Sequence, residues 1–227
     1  MIKAIIFDAF GTLISTGSGS LDATGELLDT KKRCDIDASV FYAKWKKYHT
    51  DILIASDAFM REEIAFRKAL VRLYDEYEIK GDGYRDADIL INTFENRNLF
   101  PEVLKTVEYL KKDYLLCIGS NTDDYPLYRN LERNNLFIEH IYTSESLKTY
   151  KPKSGFYTAI LEDMNLSPCE ALFVGDSLVD DVLGPSKIGI KTCHVNRKNI
   201  SYTDIIPDIS VASLEQIPKF IKILDKN

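Results

Sequence analysis

No two of the four cysteines, Cys34, Cys117, Cys169 and Cys193, stand as C-x-x-C, so neither a zinc site nor a redox dithiol is indicated. Cys117 and Cys193 lie in apolar runs and read as core residues. Cys193 and its neighbour His194 would point to opposite faces of a strand, which sets them against sharing a metal. A basic excess is also missing. With 35 acidic against 29 basic residues the net charge is −6 and the pI about 5.2, which argues against non-specific nucleic-acid binding but leaves room for a small anionic ligand in a local pocket. No apolar stretch reaches the length of a membrane span, and Asp8 interrupts the N-terminal run too early for a signal peptide, so a cytoplasmic location is expected. Internal repeats and low-complexity tracts are absent, and nothing in the sequence fixes an oligomeric state. What remains is a soluble globular composition, 45% hydrophobic and 28% charged, over 227 residues, enough for a main domain carrying a smaller one.

Short apolar runs recur at Ala4 to Phe7, Tyr114 to Ile118, Ile138 to Tyr142, Ala171 to Val174 and Ile190 to Val195, each compatible with a buried strand. Helical patterns lie between most of them. Pro101 begins one, with Val103, Leu104, Val107 and Leu110 as its apolar stripe and Lys111-Lys112 at its negative end. Strands alternating with helices predict an α/β parallel sheet covered on both faces. From about Ser15 to Asn98 the rhythm breaks, and Val40, Phe41, Trp45 and Tyr48, then Phe59, Ile64, Phe66, Ala69, Leu70, Leu73 and Tyr77, keep helical spacing. This stretch reads as a helical insertion, entered through the Gly/Ser segment Ser15 to Ser20.

Four segments stand at or just beyond the C-terminal ends of predicted strands, the third after a short connection, where open α/β sheets place ligand sites. They are Asp8-Ala-Phe-Gly-Thr12, Ser120-Asn121-Thr122, Lys151-Pro152 and Gly175-Asp176-Ser177-Leu-Val-Asp180-Asp181. Singly each is weak, since Thr12, Ser120 and Asn121 can cap backbone, Lys151 can be a solvated charge and Asp176 can cap a helix. Jointly they supply a nucleophile, anion donors and a set of cation ligands.

In order and spacing, these segments resemble the four motifs of the haloacid dehalogenase-like hydrolase superfamily, from Asp8 to Gly184. The resemblance implies a Rossmann-like core of residues 1–15 and 99–227 and a helical cap of residues 16–98. It implies that Asp8 is a covalent nucleophile oriented by Thr12, and that Ser120 and Lys151, with Asn121 assisting, bind the anionic group in flight. It implies Mg²⁺ held by Asp8, Asp176 and the backbone carbonyl of Phe10, with Asp181 acting through water or holding Lys151. Asp180 reads as the surface member of its pair.

Position 10 departs from the phosphatases of this family. They carry a second Asp there, which protonates the leaving alcohol, and such assistance is worth roughly 10² to 10⁴ in rate. In the 2-haloacid dehalogenase branch the position is aromatic, because halide leaves without a proton, and Tyr157 also fits that branch, although it reads equally as a half-buried helix aromatic. Dehalogenases, however, use no metal and put a serine where Asp176 stands. The expectation is therefore a Mg²⁺-dependent hydrolase acting on a small phosphorylated metabolite without the usual second acid. The alternatives are a metal-independent 2-haloacid dehalogenase and a non-catalytic binder of a phosphorylated ligand.

Overall fold

The computed structural model describes residues 1–202 and 204–224, for 223 and 224 the backbone alone. In chain order its elements are β1 (Ala4–Phe7), α1 (Gly19–Thr30), α2 (Ala38–Ala55), α3 (Glu62–Glu76), the one-turn helices α4 (Gly83–Asp86) and α5 (Asp88–Ile91), α6 (Val103–Leu110), β2 (Leu115–Ser120), α7 (Asp124–Arg133), β3 (His140–Thr143), α8 (Ser144–Leu147), α9 (Ser154–Asp163), β4 (Ala171–Gly175), α10 (Gly184–Ser186), β5 (Lys191–Val195), β6 (Ile209–Val211) and α11 (Ile217–Leu224). They form two compact units. The first comprises 1–15, 98–121 and the chain from 131 onward, the second 16–97 and 122–130.

The first unit is an α/β layer built on a six-stranded parallel sheet of order β3-β2-β1-β4-β5-β6. All four residues of β1 are fully buried, as a central strand covered on both faces requires. Strand order reverses between β1 and β4, so the crevice at their C-terminal ends is the topological switch point. Phe7 is in register with Ile118 on one side and Val174 on the other, and Asp8 therefore leaves the sheet beside Gly119 and Gly175. One face is sealed by Phe156, Tyr157, Ile160 and Leu161 of α9 packed on Ile6, Cys117 and Phe173. Burial pushes the Cys117 thiol above its ordinary range and the Cys193 thiol up to about 12, so both behave as small apolar groups. β6 is a three-residue edge strand that the sequence pattern does not reveal.

The second unit is helical. Its core joins Leu27, Phe41, Trp45, Phe66, Leu70, Leu73 and Leu90, and Trp45 satisfies its buried indole N–H by donating to the Phe66 carbonyl at 2.8 Å. Phe59, expected on the α3 helix, lies before its start and is half-buried. The unit also takes in residues 122–130, which the sequence reading assigned to the core. The tie is made by single side chains: Asn130 accepts from the Arg97 N–H and donates to the Phe94 carbonyl, and Asp123 accepts from the Glu62 and Glu63 N–H groups. No described helix is long and apolar enough to cross a membrane.

Candidate active site

After β1 the chain turns back sharply on itself. Leu13 N–H and Ile14 N–H both donate to the Ala9 carbonyl, at 2.9 and 2.8 Å, and Gly11 N–H donates to that of Ile14. Gly11 has φ +98°, and a Cβ there would sit 2.4 Å from Asp176 Oδ2. Only glycine permits both the turn and the carboxylate lying against it. At the root of the turn Asp8 is still tied to the sheet, its N–H donating to the Val174 carbonyl at 2.8 Å.

Asp8 is buried, and its Oδ1 accepts from Ser120 Oγ at 3.0 Å and from Lys151 Nζ at 2.8 Å. Lys151 also donates to Asp181 Oδ1 at 2.7 Å and to the Gly119 carbonyl at 3.1 Å, so its three N–H bonds are all used. Burial alone would depress the Lys151 pKa, but the Asp181 and Asp8 carboxylates outweigh it and hold the ammonium protonated. Asp181 is buried too, its Oδ2 accepting from the Ser177 N–H at 2.9 Å. Burial, with some repulsion from Asp8, pushes its carboxyl up, against the pull of Lys151. A Cβ on Gly175 would lie 2.2 Å from that carboxyl, so the strand end must be glycine for Asp181 to fold back over it.

Carboxylate oxygens of Asp8, Asp176 and Asp181 all lie within 4.8 Å of one another. Asp176 alone of the three is open to solvent, yet the surrounding protein and the Asp8 charge push its carboxyl up to about 6. Three carboxylates against the single Lys151 ammonium leave a surplus of two negative charges when all are ionised. A hard divalent cation with oxygen ligands matches that donor set in both chemistry and charge. Asp180, half-buried, also has its carboxyl raised by burial.

Other candidates sit less directly. Asn121 spends its side chain on the backbone of Lys151, accepting from its N–H at 2.8 Å and donating to its carbonyl at 3.1 Å, so it braces the lysine. The Thr12 hydroxyl is buried without a hydrogen-bond partner among the described residues and does not reach Asp8. Phe10 is half-buried, in the turn between Asp8 and Thr12. Tyr157 is fully buried, its ring filling the space a Gly184 Cβ would need and its hydroxyl donating to the Asp180 carbonyl at 2.5 Å. Burial holds that phenol protonated.

Two supports were not foreseen from the sequence. His194 Nε2 bonds the Asp176 carbonyl at 3.0 Å, which makes Nε2 the protonated nitrogen and leaves Nδ1 to accept from the Tyr202 hydroxyl at 2.8 Å. Arg197 Nη2 donates to the Thr12 carbonyl at 3.0 Å. Both acceptors are main-chain carbonyls, which leave no mark on a sequence.

A family model described as haloacid dehalogenase-like hydrolase matches residues 2–189. The chain is 25% identical over 207 residues to (S)-2-haloacid dehalogenase 4A of Burkholderia cepacia, covering 87% of this chain and 84% of that protein. It is 27% identical over 197 residues to the Clostridium perfringens protein named as a pyrophosphatase, PpaX, covering 86% and 84%. Among solved structures, the magnesium-bound HAD-hydrolase YfnB of Bacillus subtilis aligns with a TM-score of 0.82 at 21% identity, over 97% of this chain and 99% of that one.

Proposed function

The chain belongs to the haloacid dehalogenase-like hydrolases, and from that premise we propose that it is a Mg²⁺-dependent phosphohydrolase with Asp8 as nucleophile. The observation that carries this reading is the cluster of Asp8, Asp176 and Asp181, three carboxylates facing the single Lys151 ammonium. An anionic substrate could not approach such a site unneutralised. Asp8, Asp176 and the Phe10 carbonyl are the groups to hold the cation. Asp181 has both oxygens engaged, by Lys151 and by the Ser177 N–H, and serves chiefly to hold the lysine. When bound, Mg²⁺ supplies charge neutralisation and polarisation of the phosphoryl oxygens.

The residues of the chain do the rest. Ser120 and Lys151 fix Asp8 through Oδ1, and Oδ2 accepts no hydrogen bond among the described residues, which makes it the attacking oxygen. Oδ2 forms a bond to phosphorus as the bond to the leaving oxygen breaks, and the leaving group takes that electron pair. Water then cleaves the aspartyl phosphate, releasing inorganic phosphate and restoring Asp8. Lys151, its three N–H groups spent on Asp8, Asp181 and the Gly119 carbonyl, sets its positive charge beside the group in flight. With Phe10 in place of an acid, the reading favours leaving groups that depart without a proton, such as the carboxylate of an acyl phosphate or an activated phenolate.

The test is phosphate release from an activated aryl phosphate. We expect turnover with Mg²⁺, none with chelator, and none in Asp8→Asn; equal activity in that variant would sink the reading. Phe10 and the Burkholderia relative favour a second reading, halide displacement from a 2-haloacid. Halide release from 2-chloropropionate in the presence of a chelator would establish it.

A further inference from the structure

We propose that Arg197, in the loop after β5, is a positioning residue that sets the turn carrying Asp8. Its guanidinium is used on three sides. Nη2 donates to the Thr12 carbonyl at 3.0 Å, Nη1 pairs with Glu102 Oε1 at 2.7 Å, and the plane lies over the Phe100 ring with 3.6 Å to its centroid. Both ionic partners are largely shielded, with 21% and 11% of their side chains exposed. Nε and Glu102 Oε1 are both buried without a hydrogen bond among the described residues, so Glu102 holds the guanidinium by charge, and the bond to the Thr12 carbonyl and the Phe100 face set its direction. A lysine offers one point charge and no plane, and it cannot reproduce the set.

These contacts close a ring through the base of the site. Phe100 N–H donates to the Leu13 carbonyl, Ser15 N–H to that of Asn98, and Ile14 bridges Leu99. The segment that carries Phe100 and Glu102 to Arg197 is thus the one already bonded to residues 13–15. Arg197 completes the circuit by gripping the carbonyl of Thr12. Because Leu13, Ile14 and Gly11 lock the turn internally, fixing one carbonyl fixes the direction in which Asp8 leaves β1. The unbonded Thr12 hydroxyl adds no such hold, so orientation of the turn falls to its main chain. The catalytic part of this proposal rests on reading Asp8 as the nucleophile; the positional part does not.

The test uses the full chain and Arg197→Met, with backbone hydrogen exchange in residues 8–15 and, on whichever of the aryl phosphate and 2-chloropropionate the wild type turns over, kcat and KM. Loss of a charged hydrogen bond should speed exchange in that segment about tenfold while the β2 and β4 amides keep their protection. Misplacing the nucleophile should cost about 10- to 100-fold in kcat with KM nearly unchanged, and Arg197→Lys should recover only part of it. Wild-type exchange in residues 8–15, or acceleration spread evenly over the sheet, overturns the proposal, as does wild-type kcat. If Arg197→Met fails to fold, Glu102→Gln replaces it, with the same pattern expected at about threefold. A wild type inert on both substrates counts against the functional reading alone, because the exchange measurement still decides the role of Arg197.

Discussion

His49 is a buried imidazole stacked on Phe66, with 3.8 Å between ring centroids and 17° between planes. Its Nε2 has no hydrogen-bond partner among the described residues, and the nearest acid, Glu62, is 3.9 Å away, too far to bond. Burial accordingly pushes its pKa down from 6.5 to about 4. In that window the unfolded chain binds the extra proton and the native one does not, so stability is full above pH 6.5 and falls on acidification toward pH 4. The shift corresponds to about 3 kcal/mol. His49→Phe keeps the stack and removes the titration. We expect urea midpoints of the variant and wild type to converge at pH 7 and to diverge in favour of the variant by pH 5; parallel profiles would refute this. At the same scale, Asp8, Ser120, Lys151 and Asp181, which the structure brings into direct contact, were legible because Asp8, Ser120 and Asp181 stand in short polar segments directly after apolar runs and Lys151 a short connection beyond one. Arg197, His194 and the real use of Asn121 were not, since each acts on backbone far away in the chain.

Among the helices, α3 lacks a cap of its own. The preceding residue is Arg61, which makes no capping bond, while Asp123 accepts from both the Glu62 and Glu63 N–H groups at 2.9 Å from some sixty residues away. A carboxylate there satisfies two orphan donors and complements the positive helix end. Asp123→Ala should cost about 1–2 kcal/mol, read as a lower urea midpoint, and Asp123→Asn less, because one acceptor survives. An unchanged midpoint in both would show that water replaces the carboxylate at no loss. The five longer strands announce themselves by apolar runs, with no end displaced by more than two residues and β1 matched at both ends. The membership of residues 122–130 does not, because it depends on the partners of Asp123 and Asn130 rather than on periodicity.

Across the whole molecule, the parallel order β3-β2-β1-β4-β5-β6 puts Asp8 and the Asp176 loop on adjacent strands flanking the switch point, although they stand far apart in the chain. Alternating strands and helices make that architecture readable in advance, while strand order follows only from handedness and packing. Charge gathers at this crevice in a molecule already carrying −6. A cation that binds the native state alone stabilises it by about 2.7 kcal/mol at a hundred times its Kd, and about 2–4 °C of Tm accompanies each kcal/mol at this size. Mg²⁺ should therefore raise the wild-type Tm by several degrees. Asp176→Asn should abolish that rise and, without metal, melt higher than the wild type through relieved repulsion; an equal Mg²⁺ shift in both proteins would rule out the cluster as the binding site.

The chain passes between its two units at 15/16, 97/98, 121/122 and 130/131. A graft that exchanged only the long insertion for that of another family member would strand residues 122–130 without the backbone groups of Arg97, Phe94, Glu62 and Glu63 that they bind. Recombination of such modules has to carry two pieces of chain, and the natural cut sites are four rather than two.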